Sequence, residues 1–457
     1  MTRILRLCGE SGALEYDLVG GALRATLNNY YETTTSDGLL ERRYGLYGTT
    51  DTHTALEIME AFKQLERVAR LGSEWHARPY EHESIWLEES AADEVPYKRA
   101  LVYRMETRRQ AVPLLSDPLM GYEALVGELA IVTLPVHESS VARTAVNASS
   151  VSVLGGMATF GPGGTAEGRV ARLTIGPPFG TYAYNAWVGI RPINAGIDDF
   201  NPIVSFSANP TGSTAGITTI VDANAYSGQA VQINHSLVPS PTTLTPRHLT
   251  SIAFAYPSGD LRHWNGRYRA VLRYKIVGTA AQIAVKIYYG TVSTDSLDVG
   301  IPLDMVYLNG TSNAYRTVDV GEVVLPFYAY YGQTALTAIS AANDCGFLAA
   351  TEFIDGTAAT DHLTIAEIIL IPADRLAMCE NFDQIWIRVN WLTAENGNTA
   401  VLGDSGYAVE GANTLSLPPD GGVVVVLVEN AGVSSKTDVV DLTVISYSRY
   451  GRYAGNG

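Results

Sequence analysis

The sequence has very few cysteines, since Cys8, Cys345 and Cys379 are the only three in 457 residues and no two form a CxxC pair. A disulfide framework or a thiolate metal site needs closely spaced cysteines, so neither is indicated and the thiols are predicted to be buried and reduced. No stretch approaches the roughly 18 uninterrupted apolar residues of a membrane-spanning helix, and the N-terminus has no apolar signal segment. The chain is expected to fold in the cytosol without spanning a membrane.

Positive charge is also scarce, because 31 Lys and Arg residues stand against 47 Asp and Glu residues and give a net charge of −16. Nucleic-acid binding depends on clustered Lys and Arg, so nucleic acid is not an expected partner. The first 137 residues hold 35 of the 78 charged side chains, and the remaining 320 residues are charge-poor. A large charge-poor β protein must cover its strand edges, often with a copy of itself, which favours an assembly component.

Residues 1–137 are predicted to be α+β, with a strand meander interrupted by one helix over residues 54–71. Thr54 and Glu57 have the spacing of a capping box, and Gly72 supplies a stop signal. Apolar residues recur at steps of three and four along one face, at Ala55, Ile58, Phe62, Leu65 and Ala69. This stripe predicts a helix that packs on a sheet rather than a cofactor site.

Residues 138–376 change to Ala, Ser, Thr, Gly and Val, with turn signals about every ten residues, which is typical of a jelly-roll-like β-sandwich. One strand carries a cationic stripe at Arg267, Arg269, Arg273 and Lys275. The stripe either lies in solvent, as such faces usually do, or meets an acidic neighbour. Residues 377–457 are predicted to form strands that complete the first domain or pack on it. The overall fold class is mainly β.

Patterns that suggest catalysis or metal binding are weak. Gly403-Asp404-Ser405-Gly406 lacks the following glycine of a serine-protease loop, and a turn explains it. His76 and His82 lie beside acids but do not have the HExxH spacing of a zinc site. Asp198-Asp199 offers two carboxylates where a Ca²⁺ ion needs several oxygen ligands on one loop. No catalytic residue, metal or cofactor is therefore expected.

Aromatic residues give the candidate contacts. Tyr182, Tyr184 and Trp187, in FGTYAYNAWVG, are the candidate glycan contacts, since aromatic rings stack on pyranose faces, although core packing is the more common use. The C-terminal tail lacks core-forming residues and is rich in Tyr and Arg, which protein interfaces favour. Its candidate assembly contacts are Tyr447, Arg449, Tyr450, Arg452 and Tyr453.

Several segments resemble tail proteins of long-tailed phages and prophages. They are TALEIMEAFKQLERVARL, ESIWLEES, KRALVYRMETRRQ, ALVGELAIVTLPVHES, LTIAEIILIPAD and LPPDGGVVVVLVENAGVSSKTDVVDLTVISYSRYGRY. The resemblance implies a distal-tail or tail-tube-like sandwich that forms homo-oligomeric rings with other tail proteins, and an inserted, outward-projecting sandwich of carbohydrate-binding-module type. It also implies synthesis in the host cytoplasm and incorporation into the virion tail.

Two other function classes stay open. A glycan-binding adhesin would use the middle region to recognise host surface polysaccharide. A glycoside hydrolase would need two carboxylates about 5 to 9 Å apart in a cleft, and the central strands contain few acids. A non-enzymatic structural protein of a phage tail is the function that the sequence favours.

Overall fold

The computed structural model describes residues 4–9, 13–49, 52–74, 84–90, 98–109, 123–176, 183–193, 200–205, 217–234, 251–253, 266–277, 283–290, 300–308, 313–325, 346–353, 361–382, 385–388, 393–396, 399–401, 415–430 and 435–451. Over these residues the protein is mainly β, with one helix and several antiparallel sheets, so the predicted fold class is confirmed. None of the described residues forms a helix long and apolar enough to cross a membrane.

The chain divides into two compact units that are not contiguous in sequence. The N-terminal unit comprises Met1–Arg143, Gly163–Arg169 and Ser446–Gly457, and the central unit comprises Thr144–Pro162 and Val170–Ile445. The sequence predicted that residues 377–457 complete the first domain or pack on it, and these domain bounds stay a prediction. Backbone contacts group residues 446–457 with the N-terminal unit and residues 377–445 with the central unit, in which the strand Gly422–Asn430 pairs with two other strands.

The N-terminal part of the chain contains one helix among strands. Its elements are β1 Ile4–Gly9, β2 Leu14–Asp17, β3 Leu23–Thr34, β4 Leu40–Thr49, α1 Ala55–Glu74, β5 Ile85–Ser90, β6 Lys98–Arg109, β7 Glu123–Thr133 and β8 Val136–Ser139. The second half of β6 pairs with β7, which pairs with β4, and β3 follows. The first half of β6 pairs with β5 and β8, and β1 and β2 extend the order beyond β5.

Helix α1 starts where the sequence predicts but ends at Glu74, three residues beyond the predicted end. Gly72 is not a stop. It lies buried in the last turn, where a Cβ atom would be 3.4 Å from Cγ1 of Val102 on β6. The glycine is therefore used for close packing of the helix on the sheet. Gly127 on β7 has the same role, since a Cβ atom there would lie 2.8 Å from the Phe62 ring.

The apolar face of α1 forms the core of the N-terminal unit with the strands beneath it. Ile58, Phe62 and Leu65 are at most 2% exposed and pack with residues of β1, β4, β5, β6 and β7. The predicted role of this face as core is confirmed by its burial against apolar side chains of these strands, while the Phe62 ring also has the Arg109 guanidinium 4.8 Å from its centre.

The remaining strands follow in chain order. They are β9 Arg143–Ser152, β10 Leu154–Phe160, β11 Ala166–Gly176, β12 Ala183–Pro192, β13 Ile203–Ser205, β14 Ile217–Val221, β15 Gln229–Asn234, β16 Ser251–Ala253, β17 Gly266–Val277, β18 Ile283–Gly290, β19 Gly300–Leu308, β20 Arg316–Leu325, β21 Gly346–Phe353, β22 His362–Pro372, β23 Leu376–Phe382, β24 Ile385–Arg388, β25 Thr393–Asn396, β26 Thr399–Val401, β27 Ser416–Leu417, β28 Gly422–Asn430 and β29 Val439–Gly451. β9, β11 and β29 have residues in both units.

The central unit contains several antiparallel sheets around one large apolar core. One sheet has the order β10-β28-β12-β23, a second β14-β15-β22-β17-β20 with β13 on β22, and a third β16-β21-β18-β19. The apolar run Val423–Val426 lies on β28, between β10 and β12, and is at most 2% exposed. The sequence predicted that this run must be covered, and this prediction is confirmed.

Candidate functional site

A row of alternating charges crosses five neighbouring strands in the N-terminal unit. Cross-strand register places Arg6 on β1 opposite Glu88 on β5, Glu88 opposite Arg99 on β6, Arg99 opposite Glu138 on β8, and Glu138 opposite Arg449 on β29. Side chains at directly opposed positions share a face of the sheet, so opposite charges stand next to each other along the row. We call these five residues the charge ladder.

Glu138, the fourth residue of the ladder, contacts the ladder residues Arg99 and Arg449 and also Arg169 of β11. Arg169 binds it with two hydrogen bonds, from Nη2 to Oε1 at 2.8 Å and from Nε to Oε2 at 2.9 Å. Arg99 donates from Nη2 to Oε1 at 3.0 Å, and Arg449 donates from Nε to Oε2 at 3.3 Å. Burial by itself raises the pKa of Glu138, but Arg169, Arg99 and Arg449 outweigh burial and hold the pKa below its usual value.

Two aromatic rings flank the guanidinium groups of this cluster. The Arg99 guanidinium lies 4.4 Å from the centre of the Trp86 ring and 4.6 Å from that of Tyr447. The Arg169 guanidinium lies 5.3 Å and 4.6 Å from the same two rings. Cation–π contacts of this kind stabilise a desolvated cation, so the rings and Glu138 together make the buried positive charges tolerable.

The cluster engages part of the predicted assembly tail inside the chain itself. Tyr447 and Arg449 contact the cluster, and Tyr450 pairs with His137 of β8 while its side chain is 37% exposed. The backbone O of Arg449 also accepts a hydrogen bond from Thr165 N at 2.9 Å. Arg452 and Tyr453 lie outside the described residues. The interface role of these five residues stays a prediction, and Tyr450 is the most exposed of the three described ones.

The ladder residues other than Arg449 were not singled out from the sequence. A usable signal was present, because Trp86 and Glu88 lie two residues apart on one strand and Tyr447 and Arg449 do so on another. Residues two apart share a face of a strand, so an aromatic ring beside a charge indicates a partly buried polar face. Which strands bring these pairs together depends on a non-local register that spacing does not reveal.

The predicted glycan contacts are only partly described. Trp187 on β12 is 8% exposed and packs in the core of the central unit, so its ring is not available as a stacking platform. Trp187 is therefore a core residue, which is the more common use of such a side chain. Tyr182 and the side chain of Tyr184 lie outside the described residues. The same is true of Asp198-Asp199, of His76 and His82, and of Gly403–Gly406.

A second polar cluster, in the central unit, fixes the loop 222–228 between β14 and β15. Glu367 of β22 accepts hydrogen bonds from the Tyr226 backbone N and from Arg273 Nη1, the latter at 2.9 Å. Arg273 Nη2 donates to the Asn224 carbonyl at 3.0 Å, and Lys436 Nζ donates to the Ala225 carbonyl at 2.9 Å. Side chains of β22 and β17, together with Lys436, thus hold the backbone of this loop, while Tyr226 remains 47% exposed.

The predicted cationic stripe on β17 supplies part of this cluster. Arg267 pairs with Glu322 at 2.8 Å, Arg269 with Asp319 at 2.5 Å and Arg273 with Glu367 at 2.9 Å. Lys275 and the Tyr315 hydroxyl both donate to Asp222. All four cations of the stripe therefore meet acidic neighbours, and the stripe is solvated only in part, since the Arg267 side chain is 57% exposed whereas that of Arg273 is buried. Among the described residues, no group of three or more His, Cys, Asp and Glu side chains could hold a metal ion.

Comparison with known proteins gives only remote likenesses. No protein-family model matches the chain, and no curated protein matches it. A family 11 carbohydrate-binding module from Clostridium thermocellum, solved with a mixed-linked tetrasaccharide, is 14% identical with a TM-score of 0.20, over 41% of this chain and 96% of the module.

Two phage structures are also similar. The baseplate of phage P2 in its activated conformation with Ca is 9% identical, with a TM-score of 0.18, over 80% of this chain and 98% of that chain. The Dit protein of phage SPP1, from a hub adsorption apparatus, is 8% identical, with a TM-score of 0.16, over 80% of this chain and 99% of that chain. TM-scores of 0.20 and below do not define a shared fold.

Proposed function

We propose that the protein is a non-enzymatic structural component of a phage tail, at the distal tail or in the tube, which self-assembles into rings. The observation that carries the proposal is that the tail-protein-like N-terminal segments and the end of the C-terminal one belong to the same unit. The helix and the blocks around β5, β6, β7 and β8 lie in this unit with the part of the C-terminal segment that starts at Ser446, whereas residues 417–445 of that segment lie in the central unit. A helix-bearing sandwich completed by its own C-terminus is a suitable building block for an assembly.

The charge ladder supports a structural role for this unit. Glu138 and Arg99 are buried, and the residues that contact them come from separate parts of the sequence. Buried charge pairs of this kind are expensive unless every partner is in place, and they can specify one arrangement of segments. A ring component needs a defined shape to contact its neighbours. The contacts of β29 with Glu138 and β8 hold the C-terminal strand in one position.

Electron microscopy and mass photometry of the purified full chain test the proposal. We expect closed rings of one discrete size at micromolar concentration, and a smaller fraction of the chains in rings after dilution. A chain that stays monomeric over this range, with or without extracts containing other tail proteins, would contradict ring assembly. Turnover of a polysaccharide by the same preparation would contradict the non-enzymatic assignment.

A second candidate function, glycan recognition by the central unit, is supported by the loop 222–228. Buried charges hold its backbone, so Tyr226 and the exposed Asn224 beside it are presented on a rigid support. An aromatic ring next to an amide is suited to stacking on a pyranose and binding its hydroxyls. A glycan array probed with the full chain tests this, with Tyr226→Ala expected to abolish any signal. The control is Tyr307→Ala, which removes another exposed tyrosine of the same unit.

A further inference from the structure

Helix α1 exposes a second stripe on the side opposite its buried face. The stripe consists of Leu56, Met59, Lys63, Arg67 and Arg70, which recur at steps of three and four and so align along the helix. Leu56 is 69% exposed and Met59 is 44% exposed, and the three cations are also exposed. None of these three cations forms an ion pair within the described part of the chain. We call this surface the basic stripe.

An open groove of about 480 Å³ lies beside the same helix, between α1 and β2. Its lining carries four carboxylates, from Glu15, Asp17, Glu57 and Glu60, and no Lys or Arg is found among the described residues that line it. Leu14 lies at the groove and is 57% exposed. Gln64 Nε2 of α1 donates to the Glu15 carbonyl of β2 at 3.3 Å, which ties the two walls together. We call this surface the acidic groove.

The two surfaces are complementary in charge and in apolar content. The basic stripe carries three positive charges and two exposed apolar side chains, and the acidic groove carries four negative charges and one. Neither surface is complementary to itself, because contact between two basic stripes or two acidic grooves would oppose like charges. Two copies can therefore pair the basic stripe of one with the acidic groove of the other, either reciprocally in a two-fold dimer or head-to-tail. Only the head-to-tail contact leaves a stripe and a groove open for further copies, so it can close into a ring when the rotation between copies allows it. A closed two-fold dimer of the original chain would contradict this form of the contact.

We propose that the basic stripe of one copy docks in the acidic groove of a second copy, and that this contact joins neighbours in the ring. The inference rests on the proposed ring assembly and specifies which surfaces make it. A second copy is the favoured occupant because every copy carries one basic stripe and one acidic groove, both on its N-terminal unit. An unrelated basic partner would leave the basic stripe unused.

Charge reversal tests the docking. Glu60→Lys changes the acidic groove and Arg67→Glu changes the basic stripe, and both side chains are exposed, so folding should be retained. By sedimentation velocity, we expect each single variant to raise the dissociation constant at least tenfold. The double variant, which restores opposite charges across the contact, should return within about threefold of the original value. Arg104→Glu is the matched control, since Arg104 is 56% exposed on β6 and outside both surfaces.

The outcomes separate this inference from the proposed function. If the original chain forms rings and neither single variant weakens them, the docking is wrong and ring assembly stands. If both single variants dissociate but the double variant stays dissociated, direct pairing of the two surfaces is overturned. If the original chain is monomeric throughout, ring assembly and the docking both fail. Far-ultraviolet circular dichroism on each variant confirms that the comparison is made between folded proteins.

Discussion

Glu138 is a buried carboxylate that contacts arginines from three different segments of the chain. Its partners belong to β6, β11 and β29, and its own side chain is 2% exposed. A desolvated carboxylate is costly unless hydrogen bonds satisfy both oxygens, and here both oxygens accept from at least two donors. Because the partners are far apart in sequence, Glu138 stabilises the arrangement of the whole N-terminal unit rather than one element.

Replacement of Glu138 by Gln should strongly destabilise the protein. The amide keeps the size of the side chain but leaves the buried arginines without their counter-charge, which costs about 3 to 5 kcal/mol in comparable buried pairs. The measurement is the free energy of unfolding in urea. Glu106→Gln is the control, because Glu106 is 54% exposed and surface changes of this kind stay within about 0.5 kcal/mol. Equal effects of the two substitutions would show that the cluster does not stabilise the fold.

Acid should weaken the same cluster in a predictable direction. The pKa of Glu138 is lower in the folded protein than in the unfolded chain, where it is about 4.3, so its contribution is fully present above that pH. The contribution is lost as the pH falls through the folded-state pKa. Glu367 acts in the opposite sense, since burial chiefly raises its pKa and its carboxylate disfavours folding as the pH rises.

Unfolding free energies measured from pH 7 down to pH 3 check this expectation. The stability of the original chain should fall below about pH 4.3, and the Glu138→Gln variant should show a shallower decline because its titrating group is gone. Parallel curves for the two proteins would mean that Glu138 does not titrate with a lowered pKa.

Helix α1 begins with a complete capping box, as its sequence predicts. The Thr54 backbone N donates to Glu57 Oε2 at 2.6 Å, and the Glu57 backbone N donates to Thr54 Oγ1 at 3.3 Å. These two bonds satisfy donors that the helix start would otherwise leave unpaired. They also fix the first turn, from which Leu56 of the basic stripe and Glu57 of the acidic groove both project.

Thr54→Ala should lower the free energy of unfolding by about 1 kcal/mol, the usual cost of losing an N-cap side chain. Thr54→Ser keeps the hydroxyl and should stay close to the original value. Urea unfolding of the two variants gives the comparison. Indistinguishable stabilities would indicate that the cap is replaced by water or that the first turn does not depend on it.

Local patterns account for the elements but not for their partners. The start of α1, the strands of the N-terminal unit and the need to cover Val423–Val426 follow from residue spacing and composition. The end of α1 does not follow from the sequence. A glycine at position 72 predicts the end of a helix, but here it allows the helix to pack closely on β6 and β5. The pairing of Arg273 with Glu367 also escapes a local pattern, since these residues are 94 positions apart. Register between distant strands is set by tertiary packing.

The division of the whole chain into units shows the same limit. An insertion at residues 138–376 between the segments 1–137 and 377–457 follows from shifts in composition and stays a prediction. Composition gives no sign that residues 163–169 group with the N-terminal unit or that residues 377–445 group with the central one. The composition of β28 is that of any buried strand, so nothing local shows that it pairs with β10 and β12. The candidate site is the part that the sequence predicts least well. The Tyr and Arg content of the tail marks it as a possible contact region, but nothing in the sequence indicates that Arg449 contacts Glu138.

These contacts change how the role of the tail in assembly has to be tested. Deletion of residues 448–457 removes Arg449 from Glu138 and the pairing of Arg449, Tyr450 and Gly451 with β8. Such a deletion should lower the unfolding temperature as well as any oligomer, so it does not isolate an interface. A deletion of residues 452–457 combined with Tyr450→Ala leaves the ion pair in place and removes the predicted assembly contacts Tyr450, Arg452 and Tyr453.

We expect this smaller change to dissociate the ring while leaving the unfolding temperature within about 2 °C of the original, because a loss of less than about 0.5 kcal/mol shifts it only by this amount. Mass photometry reports the assembly and calorimetry reports the fold. Tyr307→Ala is the control, since Tyr307 is 54% exposed on β19 of the central unit and is not among the predicted assembly contacts. Intact rings after the smaller change would show that the tail acts only inside its own chain, through the arginines around Glu138.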